Sequence, residues 1–160
     1  MDAVKHGALA ISSAAVSFSA LAIVGALSAL AANERVAFPQ DYAAGVHYTT
    51  VNRGSVREEI FTSREAIEAA RNGRPLPDGT VITMEDYRGG ELYRYVVMEK
   101  RAGWGEAYPA NVRAGDWEFR EFRPDRTPNR DEDGSRCMSC HRPQASKDFV
   151  FTYDRMQAAR

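Results

Sequence analysis

Cys137-Met138-Ser139-Cys140-His141 dictates more about this 160-residue chain than any other stretch. Cys-x-x-Cys-His is the pattern for c-type haem attachment. The thiols of Cys137 and Cys140 add across the vinyl groups of the porphyrin, and the two-residue gap lets one tight turn reach both. His141 then falls beneath the iron and supplies an axial imidazole nitrogen. A covalent tether lets a modest chain keep a large cofactor without engulfing it.

Three other readings of the cysteine pair are weaker. A thioredoxin-type redox motif belongs near a βαβ unit early in its domain, whereas this one follows a polar stretch, Pro124 to Arg136, late in the chain. A zinc site needs two further ligands, and the chain has only these two cysteines, with its other histidines, His6 and His47, far upstream. A structural disulfide explains neither the tight spacing nor the adjacent histidine.

The remaining sequence agrees with a haem reading. A formal net charge of −1 over one domain's length argues against a nucleic-acid binder, which needs a clustered basic surface. Met1 to Ala32 reads as a signal peptide: Lys5 and His6 open it, Gly7 to Leu30 is uncharged, and Ala29-Leu30-Ala31 offers a small-x-small cleavage pattern. Cleavage there leaves Ala32 or Asn33 as the mature N-terminus and residues 33–160 as the haem domain. Retention as an uncleaved anchor is the alternative, since the uncharged run is long enough to span a bilayer. Either outcome exports the domain, with the periplasm as the expected compartment, and haem is attached to this motif after export in bacteria.

Along the mature chain, Val36 to Gly45 is expected to be an extended lead-in segment packed across the domain. Strands are predicted at Val46–Asn52, Val56–Thr62, Thr80–Tyr87, Leu92–Lys100 and Asp116–Phe122. Ser63 suits a helix N-cap, with Glu65 in the first turn, an apolar stripe of Ala66, Ile67 and Ala70, and a stop at Gly73. Pro75-Leu76-Pro77-Asp78-Gly79 is a rigid turn and Arg88-Gly89-Gly90-Glu91 a hairpin connection. Arg123 to Arg136 has the composition of an exposed loop, and Phe149 to Tyr153 is aromatic enough to fold back onto the core or haem. The fold class is α+β, mainly β: a twisted antiparallel sheet with one or two short helices and a covalently attached haem c. Ordinary small cytochromes c are all-helical, so this chain is set apart from simple electron shuttles.

Several short motifs in order carry a resemblance: Pro75-Leu76-Pro77-Asp78-Gly79-Thr80-Val81-Ile82, Met98-Glu99-Lys100, Gly103-Trp104-Gly105, Asp116-Trp117-Glu118-Phe119, the late Cys-x-x-Cys-His, and Asp148-Phe149-Val150-Phe151-Thr152. From Phe38 to Tyr153 the chain resembles the cytochrome P-460 family, which includes the β-sheet cytochromes c′. The resemblance implies one covalent haem c in a periplasmic protein, often a homodimer, held by Cys137 and Cys140 with His141 on one face of the iron. The other face is implied to be open or apolar and to take a small gaseous or nitrogen-oxide ligand. Members with a lysine cross-linked to the porphyrin oxidise hydroxylamine or nitric oxide, whereas relatives lacking it bind nitric oxide or carbon monoxide.

The position matching that lysine is Met84. Lys100 ends a strand in a charged run and reads as a solvated ammonium, and Lys147 belongs to the proximal side. Binding or detoxification of nitric oxide is therefore the leading expectation. The alternatives are a lysine-modified oxidising cytochrome and a His/Met electron carrier with a redox partner protein. His47, Met84 and Met98 are the candidate second ligands, each with a bland reading as surface or packing residue. Phe61, Phe119, Phe149 and Phe151 are candidates to cap the haem, and Glu85, Asp86 and Glu118 for proton chemistry, though acidic residues in strands mostly face water. No catalytic residue is named by the sequence.

Overall fold

Alternation along Val56–Thr62 is realised in the computed structural model, which describes residues 34–159: Glu58, Ile60 and Thr62 are buried, and Arg57, Glu59 and Phe61 are not. The expected signal peptide lies outside the described residues. Five strands form one antiparallel sheet in sequence order: β1 (Val46–Arg53), β2 (Val56–Thr62), β3 (Val81–Arg88), β4 (Glu91–Lys100) and β5 (Trp117–Phe122). Short α-helices occupy α1 (Arg64–Arg71), α2 (Ser135–His141) and α3 (Tyr153–Ala158). The architecture is the α+β, mainly β one expected, and α3 is an element the sequence reading did not anticipate. Among the described residues no helix is long and apolar enough to cross a membrane.

Register decides what each sheet face carries. Thr62, Ile82, Met98 and Phe119 lie across from one another on one face, while Phe61, Thr83, Val97 and Arg120 form the neighbouring row on the other. On the first face Ile60, Ile82, Met98 and Phe119 pack with Ala66, Ile67, Ala69 and Ala70 of α1, Met138 of α2 and Met156 of α3. The small residues of α1 let α3 close on it, and Gln157 Nε2 donates to the Ala70 carbonyl at 3.1 Å. Ser63 Oγ accepts from the Ala66 amide at 3.2 Å, satisfying one of the free N–H groups at the start of α1. A register shift in β1 takes Tyr48 out of the pairing, so it joins this core and its hydroxyl meets Thr152 Oγ1 at 2.7 Å.

The opposite face is covered by the lead-in strap. Val36, Tyr95, Val97 and Phe122 are buried there, with Phe38 and Tyr42 packed against them. The Phe38 ring meets Tyr95 at 5.0 Å and Phe122 at 5.3 Å, both edge-on. Arg120 ties the strap down by donating to the Glu34 and Val36 carbonyls, each at 3.0 Å. The strap is not extended throughout, because Tyr42–Ala44 closes into a 3-10 turn.

Both faces being covered corrects one expectation. Four acidic strand residues, Glu58, Asp86, Glu99 and Glu118, are buried, whereas Glu91 is exposed and Glu59, Glu85 and Glu121 are half-buried. Arginines make this tolerable, with Arg53 on Glu58, Arg88 and Arg94 on Asp86, Arg101 on Glu99 and Arg35 on Glu118.

Candidate haem-attachment site

Helix α2 arranges the Cys-x-x-Cys-His motif. Gly134 enters it at φ +76°, and Asp133 Oδ1 accepts from the Ser135 amide at 2.9 Å and hydroxyl at 2.6 Å, which starts the turn. Helical spacing puts Cys137, Cys140 and His141 at i, i+3 and i+4, hence on one side. Met138, one position on, points into the core and is buried. The sequence suggested a bare turn; the structure makes it two turns of helix anchored by that methionine.

Both thiols are free, Cys140 exposed and Cys137 partly buried. Burial pushes the Cys137 thiol up to about 11, opposed by Arg94 and reinforced by Glu132 and Glu121. A dithiol redox catalyst needs the reverse, a thiol shifted down so that thiolate forms near neutrality. The all-antiparallel sheet also lacks the βαβ context of such catalysts. Among the described residues no group of three or more His, Cys, Asp or Glu side chains could hold a bare metal ion, so the zinc reading gains nothing.

His141 is prepared as a ligand. Its Nδ1 lies 2.7 Å from the Phe149 carbonyl, and because that oxygen only accepts, Nδ1 carries the hydrogen and Nε2 keeps its lone pair. Burial lowers the pKa of His141, and the hydrogen bond to Phe149 opposes this only in part. The ring is therefore neutral at neutral pH, the state a metal ligand requires. Phe119 and Phe151 flank it, with ring centroids 4.7 and 4.8 Å away. Two free thiols and a neutral imidazole on one helical side are a donor set that fits a tethered haem.

The structure sorts the other candidates by sheet face. His47 lies in the row of Phe61, on the face opposite Phe119 and His141, and its Nε2 pairs with Glu59 Oε2 at 2.7 Å. Neither His47 nor Phe61 can reach the His141 side, so both drop out. Glu85 and Glu118 share that far face: Glu85 accepts from the Tyr42 and Tyr87 hydroxyls, and Glu118 pairs with Arg35. Met84 and Met98 lie on the helix face, Met98 directly across from Phe119 and Met84 packed against the same core. Asp86 is on this face too, bound by Arg94 Nε at 2.8 Å.

Two lysine expectations fare differently. Lys147 is half-buried and paired with Asp154 at 2.6 Å. Lys100 is not a solvated ammonium: its Nζ donates to Asp148 Oδ2 at 2.7 Å and the Leu76 carbonyl at 2.9 Å. Sequence reasoning failed there because Asp148 is remote along the chain. It also passed over Arg94, which bridges Asp86 and Glu121 within electrostatic reach of Cys137. Glu58 in the same cluster did leave a signal, alternating in phase with Ile60 and Thr62.

The family described as Cytochrome P460 matches residues 39–152, a span that contains every strand, α1, α2 and the Phe149 carbonyl. No curated protein matches the chain. With the family matched from the strap through the Cys-x-x-Cys-His helix, the chain belongs to the cytochrome P460 family and is a haem cytochrome.

Proposed function

We propose that the protein is an exported cytochrome with a single haem c that binds or detoxifies nitric oxide and related small nitrogen species. The observation that carries this is His141, held by the Phe149 carbonyl with Nε2 available beside two free thiols. A haem c would be tethered through two thioether bonds, one to each of these thiols. Cys137 and Cys140 would hold the ring, and His141 Nε2 would be the nitrogen ligand to its iron. A haem held in this way would supply an iron able to bind a diatomic ligand. The Phe119 and Phe151 rings both rest against the imidazole, which restricts its rotation. Export is supported by the sequence of residues 1–32.

A lysine-modified oxidising haem is disfavoured by the engagement of Lys100 and Lys147 with Asp148 and Asp154. A His/Met electron carrier is the second reading, favoured by Met84 and Met98 lying on the sheet face that carries Phe119. Spectra of the reduced protein, exported from a strain with haem-maturation machinery, separate the three. An ordinary c-type ferrous spectrum that shifts with nitric oxide and carbon monoxide supports gas binding. A strongly red-shifted Soret band would replace it with the lysine-modified enzyme, and a ferrous iron inert to carbon monoxide with the electron carrier. His141→Ala is expected to retain some covalent haem yet lose the normal spectrum; an unchanged spectrum would overturn the axial assignment.

A further inference from the structure

The carbonyl that receives the His141 Nδ1–H sits in an unusual stretch of backbone. Asp148 and Phe149 are consecutive non-glycine residues in the left-handed region, at φ +49° and +62°. Such a conformation persists only where surrounding contacts impose it. Here the contacts come from two directions. Asp148 Oδ2 accepts from Lys100 Nζ at 2.7 Å and the Leu76 amide at 2.8 Å, while its Oδ1 lies 3.4 Å from Trp117 Nε1. These donors come from the end of β4, the Pro75–Gly79 turn and the start of β5, so three separate elements converge on one carboxylate. From the other side the Phe149 ring rests on Gly115, where a Cβ would come within 2.5 Å of the ring. Val150, next along, is buried.

We infer that Asp148, clamped by Lys100, is a positioning residue for the axial histidine: it holds the Phe149 carbonyl on His141 Nδ1 and so sets the electron donation of Nε2 to the iron. The reasoning rests on the haem reading above. A hydrogen bond accepted from Nδ1–H adds electron density to the imidazole and strengthens the bond from Nε2, which stabilises the ferric state and tunes what the opposite axial position binds. Lys100 would thus act on His141 from the sheet, through Asp148 and the Phe149 carbonyl.

The test uses the exported holoprotein and its Lys100→Met and Asp148→Asn variants. Covalent haem is first counted by haem staining after denaturation; wild-type protein without it would refute the haem reading itself. In loaded protein, resonance Raman of the ferrous state reports the iron–histidine stretch, and redox titration reports the midpoint potential. Both variants are expected to move the stretch to lower wavenumber and the potential upward, with Asp148→Asn the larger. Their ferrous nitrosyl forms should lose the histidine bond more readily. Wild-type stretch and potential in haem-loaded, folded variants would overturn the positioning role while leaving the haem reading intact. Should Asp148→Asn fail to fold, Lys100→Met decides alone, since it leaves Asp148 its bond from the Leu76 amide.

Discussion

Gly115 shows how tightly individual residues fix this site. It adopts φ +56°, and an added methyl would overlap the Phe149 ring. On its other side Gly105 approaches so closely that a Cβ there would lie 2.1 Å from the Gly115 carbonyl oxygen. Backbone, backbone and ring are therefore stacked in contact, and the last member carries the carbonyl bonded to His141. Gly115→Ala is expected to cost about 2–4 kcal/mol, combining overpacking with a left-handed alanine. Urea denaturation checks this, and the same variant should show a weakened iron–histidine band. A stability change under about 0.5 kcal/mol, the usual range for surface changes, would mean that the ring yields and the stack is not a constraint. None of this was legible in the sequence: Gly103-Trp104-Gly105 reads as a loop, and nothing local reveals that Gly105 meets Gly115.

Elements were easier to read than contacts, for reasons that differ between them. Helix α1 combines a capping serine, an acidic first turn, a buried alanine stripe and Gly73 at φ +64° beyond its end. Local chemistry alone specifies it, and Ser63→Ala should accordingly cost ~1 kcal/mol, seen as a lower urea midpoint at unchanged slope. An unaltered midpoint would show that the cap contributes nothing beyond water. The strand pairs were legible because alternation and turn residues coincide, as at Gly89 and Gly90, both at positive φ in the β3–β4 hairpin. Helices α2 and α3 were not. Ser, Cys and His are indifferent helix formers, and α3 buries only Met156 of its own residues. Both are stabilised by what they pack against, Met138 and Met156 in the main core, which no local pattern reports. Strand β5 lies where Asp116–Phe122 was expected, but Trp117, Glu118 and Phe119 are all buried, so alternation there did not separate core from solvent. The attachment residues were legible from spacing, whereas the Asp148 clamp depends on partners far away in the chain.

At the scale of the whole molecule, the strap and the sheet are joined through a buried charge. Glu118 has no exposed surface, and Arg35 at the head of the strap is its ionic partner, with neither carboxylate oxygen accepting a well-formed hydrogen bond among the described residues. Glu99 lies directly across from it on β4 and is itself engaged by Arg101 at 2.7 Å. Burial raises the Glu118 carboxyl to about 7, Arg35 opposing and Glu99 adding to the rise. The linkage follows in sign: between the ordinary carboxylate range and pH 7 the folded protein binds more protons than the unfolded chain, so stability falls as pH rises. Below that window the contribution is fully present, and above it the contribution is lost. Each pKa unit is worth about 1.4 kcal/mol, so the loss amounts to roughly 2–3 kcal/mol between pH 4.5 and 7.5. Glu59, Glu65, Asp125 and Asp133 are shifted down and act oppositely, losing stability on acidification. The Glu118 term is therefore isolated as a difference, from urea midpoints of wild type and Glu118→Gln at pH 5 and pH 8. Glu118→Gln should be the less stable or equal at pH 5 and gain relative to wild type at pH 8. Arg35→Met should do the reverse, losing most at pH 8, where it leaves a buried carboxylate without its cation. Parallel pH profiles for all three proteins would show that Glu118 keeps one protonation state from pH 5 to pH 8 and that the Arg35–Glu118 pair adds no pH dependence to the strap's hold.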